Sequence, residues 1–113
     1  TYLELNKKYY GSDIVSDEQI AYEWAKIPHF YYNFYVYQYA TSYCAAFSVA
    51  HKILEEGAPA VERYKEFLRG GCSMAPVELL KIAGVNLETP APIQDALNAF
   101  GEIIKEMEAL VEA

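Results

Sequence analysis

The sequence predicts an all-α fold: one long buried central helix, about residues 34–56, with shorter helices on either side. Three observations carry this. Apolar residues recur at spacings of three and four in nearly every segment, as on one face of a helix. Proline and glycine fall where helices would open and close. No two alternating apolar runs flank a hairpin turn, so nothing reads as paired strands.

Taken in order, residues 1–10 read as the last turns of a helix entering from upstream and ending at Gly11, since glycine tolerates the left-handed conformation that closes helices. Ser16-Asp17-Glu18-Gln19 has the S-x-x-Q form of a capping box and predicts a short amphipathic helix. Ile20, Trp24 and Ile27 form its apolar stripe, and Pro28 stops it. Asn33 is the expected N-cap of the central helix and Gly57 its C′ residue. Ala58-Pro59 opens the next helix, with Val61, Tyr64, Phe67 and Leu68 turned inward, and Gly70-Gly71 ends it. Pro76 starts a short helix that stops at Gly84. Thr89-Pro90 and Pro92 precede the last one, where Ile93, Leu97, Phe100, Ile104, Met107, Leu110 and Val111 keep the core-facing spacing.

The central helix is the unusual element. From Ile27 to His51 there is no Asp, Glu, Lys or Arg. A stretch this long without charge could span a bilayer, but Pro28, His29, Asn33, Gln38, Thr41, Ser42, Ser48, His51 and the tyrosines make it too polar for lipid. A helix without charge on any side is instead one wrapped by protein. The rest of the chain is barely enough to surround it, so it is expected to pack against chain beyond these residues.

Composition narrows the partners. The chain has 113 residues, a formal net charge of −7 and no basic cluster, which argues against nucleic acid and anionic membranes. Its two cysteines, Cys44 and Cys72, fit no metal pattern and read as reduced thiols of a cytoplasmic protein. Neither histidine stands in an H-x-x-x-H or H-E-x-x-H arrangement and no C-x-x-C occurs, so no metal site is expected from this chain. His51, followed by Lys52 near a helix C-terminus, reads as structural.

The chemistry concentrates elsewhere. The chain carries 11 tyrosines, and Tyr31, Tyr32, Tyr35 and Tyr39 follow closely on His29. On an α-helix Tyr32 and Tyr39 return to within about 20° of each other with Tyr35 beside them. Such a face would present neutral phenols, good donors to a negative oxygen, with an imidazole at its head. Donors held rigidly are what a developing oxyanion needs. The plainer reading is that each tyrosine is a core residue whose hydroxyl reaches a carbonyl or water.

The run Ile27-Pro28-His29-Phe30-Tyr31-Tyr32-Asn33-Phe34-Tyr35-Val36-Tyr37-Gln38-Tyr39-Ala40-Thr41 closely resembles the C-terminal signature of oligoendopeptidase F, within the thimet oligopeptidase family of zinc metallopeptidases. Leu5-Asn6-Lys7-Lys8-Tyr9-Tyr10-Gly11 resembles the segment before that signature, and Gly70-Gly71, the helix from Pro76 to Gly84 and Thr89-Pro90-Ala91-Pro92-Ile93 the tail after it. The resemblance implies that residues 1–113 are one helical segment, the C-terminal portion of a larger catalytic domain that hydrolyses short peptides. Zinc would be bound in the full-length enzyme by an H-E-x-x-H motif and a further glutamate upstream, and none by this fragment, which alone would be inactive. It also implies site roles: Tyr39 and Tyr32 as catalytic oxyanion donors, His29 as a substrate-binding residue. The interval from His29 to Tyr32 is shorter than in the thimet-type pattern, which leaves Tyr31 as an alternative to Tyr32 and Tyr35 as a third candidate for substrate contact. Ser42-Tyr43-Cys44 departs from the glycine-containing version of many relatives. The implied partners are an oligopeptide substrate and the upstream zinc-binding part of the same enzyme, with self-association through an exposed core face as a further expectation. Two other readings are a stand-alone helical module binding peptide or protein in a tyrosine-lined groove, and a structural assembly subunit.

Overall fold

The helix punctuation of the sequence maps onto the structure, a computed structural model that describes residues 1–112. Five α-helices and two 3₁₀ helices account for the regular structure, with no strand among the described residues. Helix α1 spans Tyr2–Tyr10 and closes at Gly11, where φ is 74° and the Gly11 N–H bonds the Lys7 carbonyl at 3.2 Å. The main helices of the second half are α2 (Tyr37–Glu56), α3 (Ala58–Gly70), α4 (Pro76–Ile82) and α5 (Ala91–Val111). Proline sits in the first turn of α3, α4 and α5, where its missing N–H costs no helical hydrogen bond. Among the described residues no helix is long and apolar enough to cross a membrane.

Between α1 and α2 the structure departs from expectation. Asp17, not Ser16, caps the next segment: its carboxylate accepts from the N–H groups of Gln19 (2.9 Å) and Ile20 (3.2 Å). That segment, Glu18–Lys26, winds as a 3₁₀ helix and buries no residue. Its apolar stripe of Ile20, Trp24 and Ile27 is at best half-buried, so packing does little to favour the wider α winding, and Pro28 holds Ile27 extended at φ −92°, ψ 105°. Pro28 then opens a second 3₁₀ helix, Pro28–Tyr31.

Helix α2 begins at Tyr37, not at residue 34, and Asn33 does not cap it. Phe34 has a φ of 50°, a left-handed conformation that cannot continue a helix. The expected wrapping of α2 is also confined to one stripe, with only Ala45, Ser48 and Val49 buried, while Tyr43 and Leu54 face out. The expected core stripe of α5 is likewise open: Ile93, Leu97, Phe100, Met107, Leu110 and Val111 are exposed, and only Pro92 and Ala96 are buried. Periodicity names the apolar face of a helix; the other elements here cover little of either one.

The chain falls into two compact units, Thr1–Gln38 and the remainder from Tyr39 onward. In the first, α1 packs on the first 3₁₀ helix and that helix on the second. In the second, Ala45 and Val49 of α2 meet Ala83 and Val85, with Ile53, Tyr64, Phe67, Leu80 and Leu87 around them. Gly84, at φ 82°, makes the turn that sends Val85 inward, where its N–H bonds the Leu80 carbonyl at 3.0 Å.

Candidate functional site in the aromatic segment

The chain from Ile27 to Gln38 advances by three-residue steps. The Phe30 N–H bonds the Ile27 carbonyl (3.2 Å), Tyr32 bonds His29 (3.3 Å), Tyr35 bonds Tyr32 (3.2 Å) and Gln38 bonds Tyr35 (3.2 Å). Of this stretch only Pro28–Tyr31 winds as 3₁₀; beyond it Tyr32 is extended at φ −90°, ψ 129° and Phe34 left-handed, and the turn brings residues three apart to one side. His29, Tyr32 and Tyr35 are so spaced, and their rings form a group. His29 stacks on Tyr35 with centroids 5.7 Å apart and planes 23° from parallel. Tyr32 stands edge-on to both, 6.2 Å from His29 and 5.8 Å from Tyr35.

Tyr31, one step out of that register, does something else. Its hydroxyl donates to the Ala25 carbonyl at 2.8 Å and its ring lies 6.4 Å from that of Trp24. It thus ties the second 3₁₀ helix back to the first. Tyr39 is the third residue of α2 and belongs to the second unit. The single helical face expected to hold Tyr32, Tyr35 and Tyr39 does not form, because only Tyr39 is on α2. The structure gathers His29, Tyr32 and Tyr35, and turns Tyr31 to a bracing contact. The sequence reading missed Trp24 as that brace and Phe34 as a left-handed turn residue; the seven-residue interval from Trp24 to Tyr31 carries no signal of contact once the intervening winding is not α.

No residue from Pro28 to Ala40 is buried, so these rings fill no core of the described chain. Along the sequence, Lys26 and Lys52 are the nearest ionic side chains on either side of them. Neutral phenol and imidazole donors in such a segment suit a polar or anionic acceptor such as a peptide carbonyl.

Other groups are structural in kind. His51 stacks on Phe47, centroids 5.8 Å apart, and sits 3.4 Å from Glu55. An open cleft of about 410 Å³ runs between α2 and α5, with Ser48, His51 and Lys52 on one wall and Asp95 and Asn98 on the other. The Ser48 hydroxyl is buried there without a hydrogen-bond partner among the described residues. Glu56 is held below its ordinary 4.5 first by a hydrogen bond from Arg63, and Lys81 above its ordinary 10.5 by hydrogen bonds to Glu78 and Glu88. Cys44 is half-buried, Cys72 exposed, and both are free thiols. Among the described residues no group of three or more His, Cys, Asp or Glu side chains could hold a metal ion, so these residues do not fit a zinc site.

Comparison with known proteins gives consistent matches. The model of peptidase family M3 matches residues 1–99. Oligopeptidase PepF of Bacillus subtilis (strain 168) is 53% identical over 110 residues, which cover 97% of this chain and 16% of that protein. The chromosomal oligoendopeptidase F of Lactococcus lactis subsp. cremoris is 43% identical over 111 residues, 98% of this chain and 18% of the relative. The crystal structure of oligoendopeptidase-F from Enterococcus faecium superposes with a TM-score of 0.83 at 44% identity, over 97% of this chain and 21% of that one. The chain thus spans roughly a sixth to a fifth of the length of the proteins it matches.

Proposed function

This chain belongs to peptidase family M3, and we propose that it forms the C-terminal part of a zinc-dependent, cytoplasmic oligoendopeptidase that hydrolyses short peptides. It contributes a wall of the substrate channel and not the zinc ligands, which lie in the upstream part of the enzyme. Alone it is inactive.

The observation that carries this reading is the ring group of His29, Tyr32 and Tyr35, with centroids 5.7–6.2 Å apart in an exposed segment that supports no core. Aromatic rings ordered by hydrogen-bonded turns, and not by burial, are placed to meet a ligand. His29 binds the peptide backbone and Tyr35 lines its path. Tyr32 and Tyr39 are the donors that the family resemblance implies, each to a carbonyl oxygen as negative charge builds on it, an interaction that strengthens towards the transition state and so speeds the chemistry. The outward apolar stripes of α2 and α5 fit burial against the upstream part of the same polypeptide. The two free thiols suit a reducing compartment.

The test is hydrolysis of short quenched-fluorescence peptides by the complete polypeptide. Cleavage that a chelator abolishes and added zinc restores is the expected result. A His29→Ala variant should then show a raised KM and a lowered kcat. Absence of peptide cleavage by the wild-type polypeptide overturns the reading and favours a helical module that binds peptide without cutting it.

A further inference from the structure

Among the described residues Phe34 alone combines a side chain with a positive φ, 50°. A Cβ in the left-handed region crowds the neighbouring carbonyl, so residues other than glycine and asparagine hold it only where the surroundings impose it. Burial of the ring does not impose it here, because Phe34 is 81% exposed. The constraint is in the backbone. Tyr32-Asn33-Phe34-Tyr35 is a turn closed by the Tyr35 N–H on the Tyr32 carbonyl at 3.2 Å, with Phe34 at the third position. A positive φ at that position is what a type II turn requires, and glycine or asparagine is the usual occupant.

The consequence lies on either side. Tyr32 and Tyr35 are the two ends of this turn, and both rings meet His29. Were Phe34 helical or extended, the chain would leave Tyr32 in another direction and Tyr35 would lose its place on the imidazole. We propose that Phe34 is a positioning residue for substrate binding and catalysis: its left-handed backbone, not its ring, sets Tyr32 and Tyr35 against His29. This rests on the peptidase reading above. Strained backbone of this kind is retained where it organises a site.

The test uses the complete polypeptide and four variants. Phe34→Val, whose β-branch opposes positive φ, should lower kcat/KM about tenfold or more. Phe34→Asn and Phe34→Gly, which accept positive φ, should stay within about threefold of wild type. Thermal midpoints taken alongside separate a local effect from unfolding. If Phe34→Val does not fold, Phe34→Thr replaces it, since threonine keeps the β-branch that opposes positive φ on a polar, exposed side chain: activity lower than Phe34→Gly supports the proposal, and equal activity overturns it. Wild-type kinetics for Phe34→Val also overturn it, as does an equal loss in the valine, asparagine and glycine variants, which would assign the effect to the ring. A wild-type enzyme without peptidase activity would instead defeat the peptidase reading, before any variant is compared.

Discussion

The aromatic segment and the small core beneath α2 hold their side chains by different means. In that core Val85 is 1% exposed and Ala83 4%, and Leu79 on α4 is buried as well at 6%, so position follows from contact on all sides. From Pro28 to Ala40 nothing is buried, and position follows from successive three-residue hydrogen bonds, one left-handed turn and ring-on-ring contact. Burial stabilises at about 25 cal/mol per Å² of apolar surface and is indifferent to small errors of angle. Turns and ring edges stabilise little but fix direction. Changes in the aromatic segment should therefore alter turnover with little effect on folding, and changes in the core the reverse.

The sharpest division comes from Tyr39→Phe in the complete polypeptide. If Tyr39 is the oxyanion donor proposed above, its loss should lower kcat by about 10²–10³-fold, roughly 2.7–4 kcal/mol of transition-state stabilisation, an effect on turnover far larger than any on the thermal midpoint. A midpoint that falls together with kcat would mean Tyr39 supports the fold, and the division would fail there. Leu79→Ala should do the opposite. Truncating a buried leucine costs about 2–5 kcal/mol. Denaturant unfolding would read this as a lowered midpoint, while kcat of the folded fraction stays at the wild-type value.

Gly84→Ala probes whether the core, too, depends on a turn. An added Cβ would lie 3.5 Å from Lys52 Cδ, an ordinary contact, so the cost arises from φ at 82° and not from a clash. It should be about 1–2 kcal/mol, read by the same unfolding experiment. No loss would show that Val85 reaches its place without that turn. Tyr31→Phe is smaller still. It removes one exposed hydrogen bond to the Ala25 carbonyl, about 0.5 kcal/mol, the low end for a single bond. Its kcat should fall severalfold at most, through a looser His29; a loss as large as that of Tyr39→Phe would make Tyr31 a direct donor.

Much of this was legible in the residues. Pro59, Pro76 and Pro92, with Gly57, Gly71 and Gly84, bound α3, α4 and the start of α5, because those residues act through local backbone geometry that no distant contact overrides. The segment from Glu18 to Val36 was not legible in the same way. Up to Pro28 the α-helical reading rested on the spacing of Ile20, Trp24 and Ile27, which describes a face only if the winding is α, and from residue 34 it rested on Asn33 as a cap. In the structure the step is three, which pairs His29 with Tyr32 and Tyr35 and turns Tyr31 towards Ala25. Phe34 gave no sign either, since phenylalanine is an unusual occupant of a left-handed turn. The exposed stripes of α2 and α5 were readable as apolar, but what covers them is not encoded in their own residues.

The smallest expected effect comes from the charges, and it separates the two regions by pH. Glu56 is held below its ordinary 4.5 by the Arg63 hydrogen bond first, with Lys52 adding to it. A carboxylate whose folded value is depressed adds stability above its unfolded value, and that stability is lost as pH falls through the folded one. Lys81 is raised by Glu78 and Glu88, so its contribution is present below the ordinary lysine value and lost as pH rises through the raised one. Both pairs are solvent-exposed and screened by salt, so each contribution is slight. The acid limb is the measurable one: the thermal midpoint should decline gently below about pH 4.5, and Glu56→Gln should flatten that decline at low ionic strength. Glu56 pairs with Arg63 across α2 and α3, so Glu56→Gln should leave the acid response of the ring group of His29, Tyr32 and Tyr35 unchanged. If near-ultraviolet circular dichroism of those tyrosines, isolated by comparing wild type with Tyr32→Phe and Tyr35→Phe, moved in step with the Glu56-dependent decline, the two regions would be one cooperative element held by the same forces, and the contrast between them would be lost.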